Sequence, residues 1–233
     1  MYMTQQGPLP GKKIDSIVVG DIGTNCWLYA LEDEPDISGK QFCAVIDPGD
    51  EAARIIDRLK ALSWFPRYVF LTHGHFDHLA GLPDLLEQYS ITIGIHRLDA
   101  DYLGKNALAV HRKSIRAAGG DPAFVDTLWK PLPDADILFE EGDTAGPFKI
   151  LHVPGHSRGS VCFYDEKAGV LFSGDTLFRA NWGRTDLPGG NETQIYQSLA
   201  RLLSMKKETV VCPGHGPATT IGNEEGLLKY LHG

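Results

Sequence analysis

The chain has 233 residues and a formal net charge of −8, so it can form one large domain or two small ones with a well-buried core. Non-specific nucleic-acid binding depends on surplus lysine and arginine, and this charge argues against it. No apolar run in the sequence approaches the roughly 20 residues that would cross a bilayer. We therefore predict a protein that binds neither nucleic acid nor membrane.

Residues 1–13 contain two prolines and no apolar core, which predicts a flexible tail rather than a signal peptide. Without a secretion signal, the expected location is the cytoplasm. The cysteines are scattered, and no pair has the Cys-x-x-Cys spacing of a metal or redox motif. Each lies in an apolar run, which predicts buried free thiols at Cys26, Cys43, Cys162 and Cys212.

The first elements of the chain are predicted to be strands. Residues 14–20 and 25–30 are expected to pair as antiparallel strands, and residues 42–46 form a third, buried strand. That strand ends at Asp47-Pro48-Gly49. Residues 51–62 then show the 3.6-residue periodicity of a helix.

The apolar run that ends at Leu71 predicts another buried strand, and polar residues follow it at once. His73 and His75 lie two apart, so an extended backbone would point both imidazoles the same way. Asp77 and His78 come next, where an amphipathic helix is predicted to begin. Zinc prefers imidazole and carboxylate ligands, and iron and manganese accept them. Four such groups in six residues would be costly beside a buried strand unless an ion satisfied them, so the segment predicts a metal site.

The middle of the chain has less regular patterns. Residues 92–95 are predicted to be a short strand, and His96 opens a helical run to Leu103. Residues 105–133 carry several basic side chains, then prolines and an exposed Trp129. One interpretation of this segment is a surface helix and loop. The other is a flap or insertion over the metal site, whose basic residues meet an anionic substrate.

Three more polar residues in the second half of the chain follow predicted strands. These strands are expected at residues 136–139, 148–153, 160–164, 170–173 and 209–212. His156, Asp175 and His215 come after the second, fourth and fifth of them. Each lies next to a glycine, which permits a tight turn and a close backbone approach. Because strand ends can meet at one edge of a sandwich, we expect these residues to join the first group in one site.

Both halves of the chain begin with strands and continue with alternating helices and strands. In the second half, helices are predicted over residues 192–203 and 223–232. This order predicts an α+β protein in which two mixed β-sheets pack face to face with helices outside. A single domain over residues 14–233 is the simpler interpretation.

His-x-His-x-Asp-His after an apolar strand, followed by three glycine-flanked ligands, resembles the signature of the metallo-β-lactamase superfamily. The resemblance implies a four-layer αββα sandwich and two ion sites. One site would contain His73, His75 and His156, and the other Asp77, His78 and His215, with Asp175 bridging the two ions. Aspartate at the bridging position is similar to the glyoxalase II-like branch, which implies two divalent ions. Zinc is the expected metal, with iron and manganese as alternatives.

In that branch, the resemblance implies cleavage of a thioester or ester by a hydroxide that bridges two ions. Asp77 would either bind an ion or orient the hydroxide and carry a proton to the leaving group. About seventeen residues follow Gly216, too few for the C-terminal helical domain of typical glyoxalase II enzymes. The resemblance is therefore to the short, bacterial type.

The segment from Gly174 to Arg184 resembles the stretch of glyoxalase II in which a basic residue contacts the glutathione carboxylates. Arg184 is therefore a candidate substrate ligand, since a guanidinium can bind a carboxylate through two hydrogen bonds. Its alternative role is an ion pair with Asp186. The expected partner is a small anionic thioester or ester, and S-lactoylglutathione or another glutathione conjugate is a candidate.

Three other functions stay open at this stage. Persulfide dioxygenases resemble this chain in fold and in the segment Gly183-Arg184-Thr185-Asp186, and they use a single iron on two histidines and an aspartate. The segment from Pro213 to Pro217 instead resembles the hydrolases. A nuclease would carry additional nucleic-acid-binding segments, which this acidic chain does not show. A non-catalytic metal-binding module would be expected to lack a ligand. The sequence does not predict an oligomeric state.

Overall fold

The computed structural model describes residues 14–32 and 39–230, so the predicted tail at residues 1–13 lies outside the described residues. Its first sheet contains six strands from the first half of the chain, in sequence order. They are β1 (Ile14–Val19), β2 (Thr24–Ala30), β3 (Gln41–Ile46), β4 (Trp64–Phe70), β5 (Thr92–His96) and β6 (Ile137–Phe139). The first three strands are antiparallel neighbours. From β3 to β6 the strands are parallel, and helical connections join them as parallel pairing requires.

The second sheet contains six strands from the second half, in the order β14-β13-β10-β9-β8-β7. They are β7 (Thr144–Ala145), β8 (Phe148–His152), β9 (Val161–Asp165), β10 (Val170–Gly174), β13 (Val210–Pro213) and β14 (Thr219–Thr220). Between β10 and β13 in the chain, β11 (Leu177–Phe178) and β12 (Asn181–Trp182) form a two-stranded ribbon. β9 is antiparallel to both β8 and β10, and β10 is parallel to β13. The strands β8, β10 and β13 therefore end at the same edge.

Helices cover the outer face of each sheet. The first sheet packs against α1 (Ala52–Leu62), α2 (Leu82–Gln88), α3 (Ala107–Ala117) and α4 (Ala123–Leu128), and the second against α5 (Glu192–Leu203) and α6 (Ile221–Glu224). The Asn191 side chain caps α5 by accepting a hydrogen bond from the Gln194 amide at 2.9 Å. Within the two described ranges, none of the helices combines the length and the apolar content that a membrane crossing would need.

Three apolar layers result from the alternation of side chains along the strands. The layer between the sheets is rich in aromatic rings: Trp27, Tyr29, Phe70, Phe139, Phe148, Phe163 and Phe172. Phe70 of the first sheet stacks on Phe163 of the second, with 5.4 Å between the ring centroids. Alternate residues such as Val69 and Leu171 point outward and pack beneath the helices. The predicted α+β sandwich of two mixed sheets is therefore confirmed.

Two predicted helices differ from the structure. After the histidine motif the chain forms a 3-10 turn over Phe76–His78, and α2 begins only at Leu82. Pro83 has no amide hydrogen and fits only the first turn of a helix, so α2 starts beside it. Near the end of the chain, α6 and a 3-10 turn over Glu225–Tyr230 replace the single helix predicted over residues 223–232. Residues 231–233 lie outside the described range.

The cysteines agree with their prediction. All four lie within the described ranges, and each is a buried free thiol. Burial raises the pKa of Cys43 to about 12, so this thiol stays protonated at neutral pH. The cysteines therefore contribute to the core as small apolar side chains.

Candidate metal centre and its cavity

The seven predicted metal ligands lie together at one edge of the sandwich. His73 and His75 follow β4, and Asp77 and His78 lie in the adjoining 3-10 turn. His156 follows β8, Asp175 follows β10 and His215 follows β13. Those three strands end at the same edge, which explains why residues so distant in sequence meet.

Ligand atoms of these residues form three overlapping groups, in each of which all atoms lie within 4.8 Å of one another. The groups are His73, His75 and His156; His73, His78 and Asp175; and Asp77, His78 and His215. Asp175 lies between the first and the third groups. Its Oδ2 is 3.6 Å from His156 Nε2 and 3.5 Å from His215 Nε2, and this is the placement of a bridging carboxylate.

Unpaired polar atoms indicate that this cluster fits a divalent ion. Nε2 of His73, Nε2 of His75 and Oδ1 of Asp175 are buried, and within the described part of the chain they have no hydrogen-bond partner. Leaving such atoms unpaired is costly, and a bound cation would satisfy all three. Imidazole and carboxylate donors suit zinc, iron or manganese.

Asp47, which the sequence analysis did not single out, orients His78. It follows β3, and its buried carboxylate accepts hydrogen bonds from the Thr72 amide at 2.8 Å and the Thr72 hydroxyl at 2.7 Å. His78 Nδ1 lies 2.9 Å from the same carboxylate. This contact places the proton on Nδ1 and turns Nε2 toward the cluster, as a ligand-orienting partner does. In the sequence, Asp47 is recognisable only as an aspartate directly after β3, the strand that pairs in parallel with β4.

Asp99, also missed, connects two of the ligand loops. Its carboxylate accepts hydrogen bonds from the Gly74 amide at 3.0 Å, the Ser157 hydroxyl at 2.6 Å and the Gly159 amide at 2.8 Å. Gly74 lies between two ligands, and Ser157 follows His156. Burial raises the pKa of Asp99, and these hydrogen bonds oppose that rise. The carboxylate therefore fixes the two loops relative to each other.

The glycines beside the ligands permit close approach, as predicted. A Cβ at Gly214 would overlap the Asp175 carboxylate and the His78 ring. Gly174 has φ +49°, and a Cβ there would overlap the Thr72 side chain. Side chains at these two positions would therefore separate the ligand loops.

The two halves of the cluster differ in charge. Burial, and then the neighbouring imidazoles, lower the pKa of His75 to about 3, so this ring is a neutral ligand. Burial alone would raise the pKa of Asp175, but the neighbouring imidazoles of His78 and His215 hold it well below its usual range. Burial opposes charging of His215, while hydrogen bonds to Asp175 and Asp77 raise its pKa to about 10. The carboxylates therefore favour the protonated form of the imidazoles in this half, whereas His75 in the other half is neutral.

A cavity of about 420 Å³ opens onto the cluster. Five of the predicted ligands line it: His75, Asp77, His156, Asp175 and His215. Arg184 also lines it, and its guanidinium binds both carboxylate oxygens of Asp186 at 2.6 and 2.7 Å. The backbone carbonyl of Arg184 accepts a hydrogen bond from His156 Nδ1 at 2.8 Å. This residue thus orients a ligand through its backbone while its side chain forms an ion pair.

The segment over residues 105–133 contains α3 and α4, and α3 forms part of the cavity wall. Among its basic residues, only His111 lines the cavity in the described structure, and that ring is fully buried. Arg112 pairs instead with Asp126. Trp129 was expected to be exposed, but it is half-buried and stacks on Phe76. Apart from His111, the basic side chains of this segment therefore lie outside the described cavity lining.

Comparison with known proteins agrees with the fold. Residues 19–215 match the model of the metallo-β-lactamase superfamily. The hydroxyacylglutathione hydrolase GloC of Haemophilus influenzae is 35% identical over 224 residues, which cover 94% of this chain and 98% of that protein. The solved structure of the BLEG-1 B3 metallo-β-lactamase is 35% identical and has a TM-score of 0.77, covering 94% of this chain and 100% of that one.

A second solved structure, TTHA1623 in a di-iron-bound form, is 35% identical with a TM-score of 0.73, and the match covers 90% of this chain and 96% of that chain. The family match over residues 19–215 spans all seven residues of the cluster. The chain belongs to the metallo-β-lactamase superfamily.

Proposed function

We propose that the protein is a metal-dependent hydrolase that cleaves a thioester or an ester with the help of two divalent ions. The observation that carries the proposal is the pair of three-residue groups that share one cavity, with Asp175 between them. The similarity to a protein named hydroxyacylglutathione hydrolase supports thioesters as the substrate class and S-lactoylglutathione as the first candidate.

His73, His75 and His156 would hold one ion, and Asp77, His78 and His215 the other. Bound divalent ions lower the pKa of water toward about 7 and polarise a carbonyl oxygen, which is the chemistry that this hydrolysis needs. Asp47 keeps His78 in the tautomer whose Nε2 faces the cluster.

Asp77 is the candidate for proton transfer. Its Oδ2 accepts a hydrogen bond from the Thr24 hydroxyl at 3.2 Å and lies 3.3 Å from both His78 Nε2 and His215 Nε2. Asp77 also lines the cavity, so the same carboxylate could ligate an ion or accept a proton at the side where substrate enters. Both roles predicted from the sequence are compatible with this position.

Arg184 is proposed to contact the anionic part of the substrate at the cavity wall. Its side chain is exposed, so a substrate carboxylate could compete with Asp186 for the guanidinium. Zinc is the proposed metal. The di-iron form of TTHA1623 supports iron as the alternative, since the donor set accepts either ion. The cytoplasm is the proposed location.

The rival proposal is a persulfide dioxygenase with a single iron on two histidines and an aspartate. The group of Asp77, His78 and His215 favours the hydrolase, because it supplies a second full set of ligands. Metal analysis of the purified protein, with S-lactoylglutathione hydrolysis assayed on the same preparation, tests the proposal. We expect about two ions per chain together with thioester cleavage. One iron per chain with oxygen uptake on glutathione persulfide, and no cleavage of any thioester, would overturn it.

A further inference from the structure

Next to the metal ligands, the wall of the cavity is built mainly of hydrocarbon. Its apolar members are Ile22, Phe76, Ile115, Ala118, Phe178 and Leu187. They come from the turn between β1 and β2, the histidine motif, the end of α3, and β11 with the loop that follows the ribbon. Several separate elements thus contribute to one apolar surface that adjoins the ligand set.

The polar side chains in the rest of this wall offer no free positive charge to a substrate carboxylate. Nε2 of His111 donates to the Tyr102 carbonyl at 2.9 Å, and its buried Nδ1 has no hydrogen-bond partner among the described residues. Burial lowers the pKa of this ring to about 4, so it is neutral, and Ser114 carries no charge. Arg184 is held by Asp186 through two hydrogen bonds. Outside the metal ligands, the described lining therefore contains no unpaired cation for a buried carboxylate.

We propose that this apolar wall binds a hydrocarbon group next to the scissile carbonyl, so that the preferred substrates are thioesters or esters with an apolar chain. This inference rests on the proposed hydrolase function. Because ligands and apolar residues line the same cavity, a carbonyl placed at the ligands would bring its neighbouring group against the wall. The volume of about 420 Å³ falls in the range of small-molecule sites, roughly 300–1,000 Å³.

Charge also argues for an apolar group. A glutathione moiety carries two carboxylates and an ammonium, and burying such groups unpaired is costly. In the described lining they would meet apolar side chains and one arginine that is already paired. A glutathione moiety would therefore have to stay at the solvent side, while the apolar wall selects the other substituent.

Two substrate series test which side of the carbonyl carries the chain. In the first, N-acetylcysteamine thioesters carry acetyl, butanoyl, hexanoyl and octanoyl groups; in the second, acetyl thioesters carry ethane-, butane- and hexanethiol leaving groups. Using the metal-loaded full-length protein, we expect kcat/KM to rise by about fourfold per methylene in one series until the wall is covered. A rise in the first series assigns the wall to the acyl chain, and a rise in the second assigns it to the leaving group.

A binding measurement separates failure of this inference from failure of the hydrolase function. Alkyl hydroxamates of increasing length combine a metal-binding group with a hydrocarbon chain, and calorimetry gives their Kd without turnover. Tighter binding with length but no hydrolysis would overturn the hydrolase function and retain the apolar site. Equal kcat/KM across both substrate series, together with equal Kd across the hydroxamates, would overturn the apolar site.

Ala118→Phe would fill part of the cavity beside the apolar wall, and Ala117→Phe is its matched control. Ala118 lines the cavity, whereas Ala117 is the exposed last residue of α3 and lies outside the lining. We expect Ala118→Phe to lower the ratio of octanoyl to acetyl kcat/KM by about tenfold and the control to leave it unchanged. Should Ala118→Phe fail to fold, Ile115→Ala provides the second variant, with an expected loss of about fivefold in the same ratio. Equal effects on long and short chains from these variants would contradict the proposal.

Discussion

The two halves of the metal centre differ in exposure. In the group of His73, His75 and His156, the residues are 1%, 6% and 3% exposed. In the other group His78 is fully buried, but the side chains of Asp77 and His215 are 22% and 26% exposed. Residues of both groups line the cavity, but the first group is an almost fully buried set of imidazoles, the closed half. The second group, the open half, combines a carboxylate with a more exposed imidazole.

The difference indicates separate roles for the two halves. A closed set of buried donors loses little conformational freedom when it binds an ion, so we infer that the first group holds its ion more tightly. The second group has an accessible ligand and a carboxylate beside the cavity, where substrate and proton can reach it. We infer that this half exchanges its ion more readily and contacts the reacting groups. The following predictions test that division.

The largest effect is expected from His73→Ala. His73 belongs to the closed group and also to the group with His78 and Asp175, so its loss should weaken both ion sites. We expect fewer than one ion per chain and a loss of hydrolysis of about 1,000-fold or more. Metal analysis and thioester hydrolysis measure these effects. His152→Ala, which removes a histidine outside the cluster, is the control. Full metal content and activity in His73→Ala would refute the centre.

His215→Ala is expected to separate the halves. It removes a ligand of the open group only, so about one ion per chain should remain while hydrolysis falls by more than about 100-fold. Titration with zinc, followed by metal analysis after dialysis, measures the remaining site. Loss of both ions would show that the two halves do not bind independently, and the proposed division would then be abandoned.

Asp47→Ala should weaken the open half by a smaller amount. The change releases His78 Nδ1 from its buried partner, and such orienting partners contribute about 10- to 100-fold to metal affinity. Competition with a chelator of known affinity measures the change in Kd for the weaker ion. The control is Asp57→Ala, which removes an exposed carboxylate from α1. An unchanged Kd in Asp47→Ala would mean that His78 is held by the remaining contacts.

The smallest effect is expected from Arg184→Ala, which alters the cavity wall and not the ions. The hydrogen bond from His156 to the backbone carbonyl of residue 184 remains, so we expect kcat to be unchanged. KM for an anionic thioester should rise about fivefold, which corresponds to ~1 kcal/mol of binding free energy. Neutral thioesters should show no change in KM. Arg179→Ala, an exposed arginine outside the cavity lining, is the control. Equal KM values for wild type and Arg184→Ala with anionic substrates would remove the substrate role.

The sequence was informative where chemistry follows from local spacing. Two histidines in extended backbone after an apolar run, and three later ligands beside glycine, predicted which side chains would meet. Asp47 and Asp99 were missed, because each acts on residues distant in the chain: Asp47 on His78, and Asp99 on Ser157. Asp47 directly follows a strand and Asp99 lies in a 3-10 turn, and the sequence around neither shows which ligand loop it will contact.

The α3 segment shows the same limit. Its basic residues suggested contacts with an anionic substrate. The face of α3 that lines the cavity instead presents Ser114, Ile115 and Ala118, together with the buried ring of His111. The sequence of an amphipathic helix shows which residues form its apolar and polar faces. It does not show which neighbouring element or cavity each face will contact. That choice depends on packing against Phe76 and Trp129, which the helix sequence does not contain.

By itself, the sequence determined most of the order of the elements, the sandwich and the side chains that form the candidate metal centre. These features follow from the periodicity of apolar residues and from side-chain chemistry, which are properties of short segments. Only the tertiary structure decided which ring nitrogen faces the cluster, which half of the centre is closed, and which side chains form the apolar wall. Each of these depends on contacts between segments from different parts of the chain, and such contacts exist only once the two sheets have packed together.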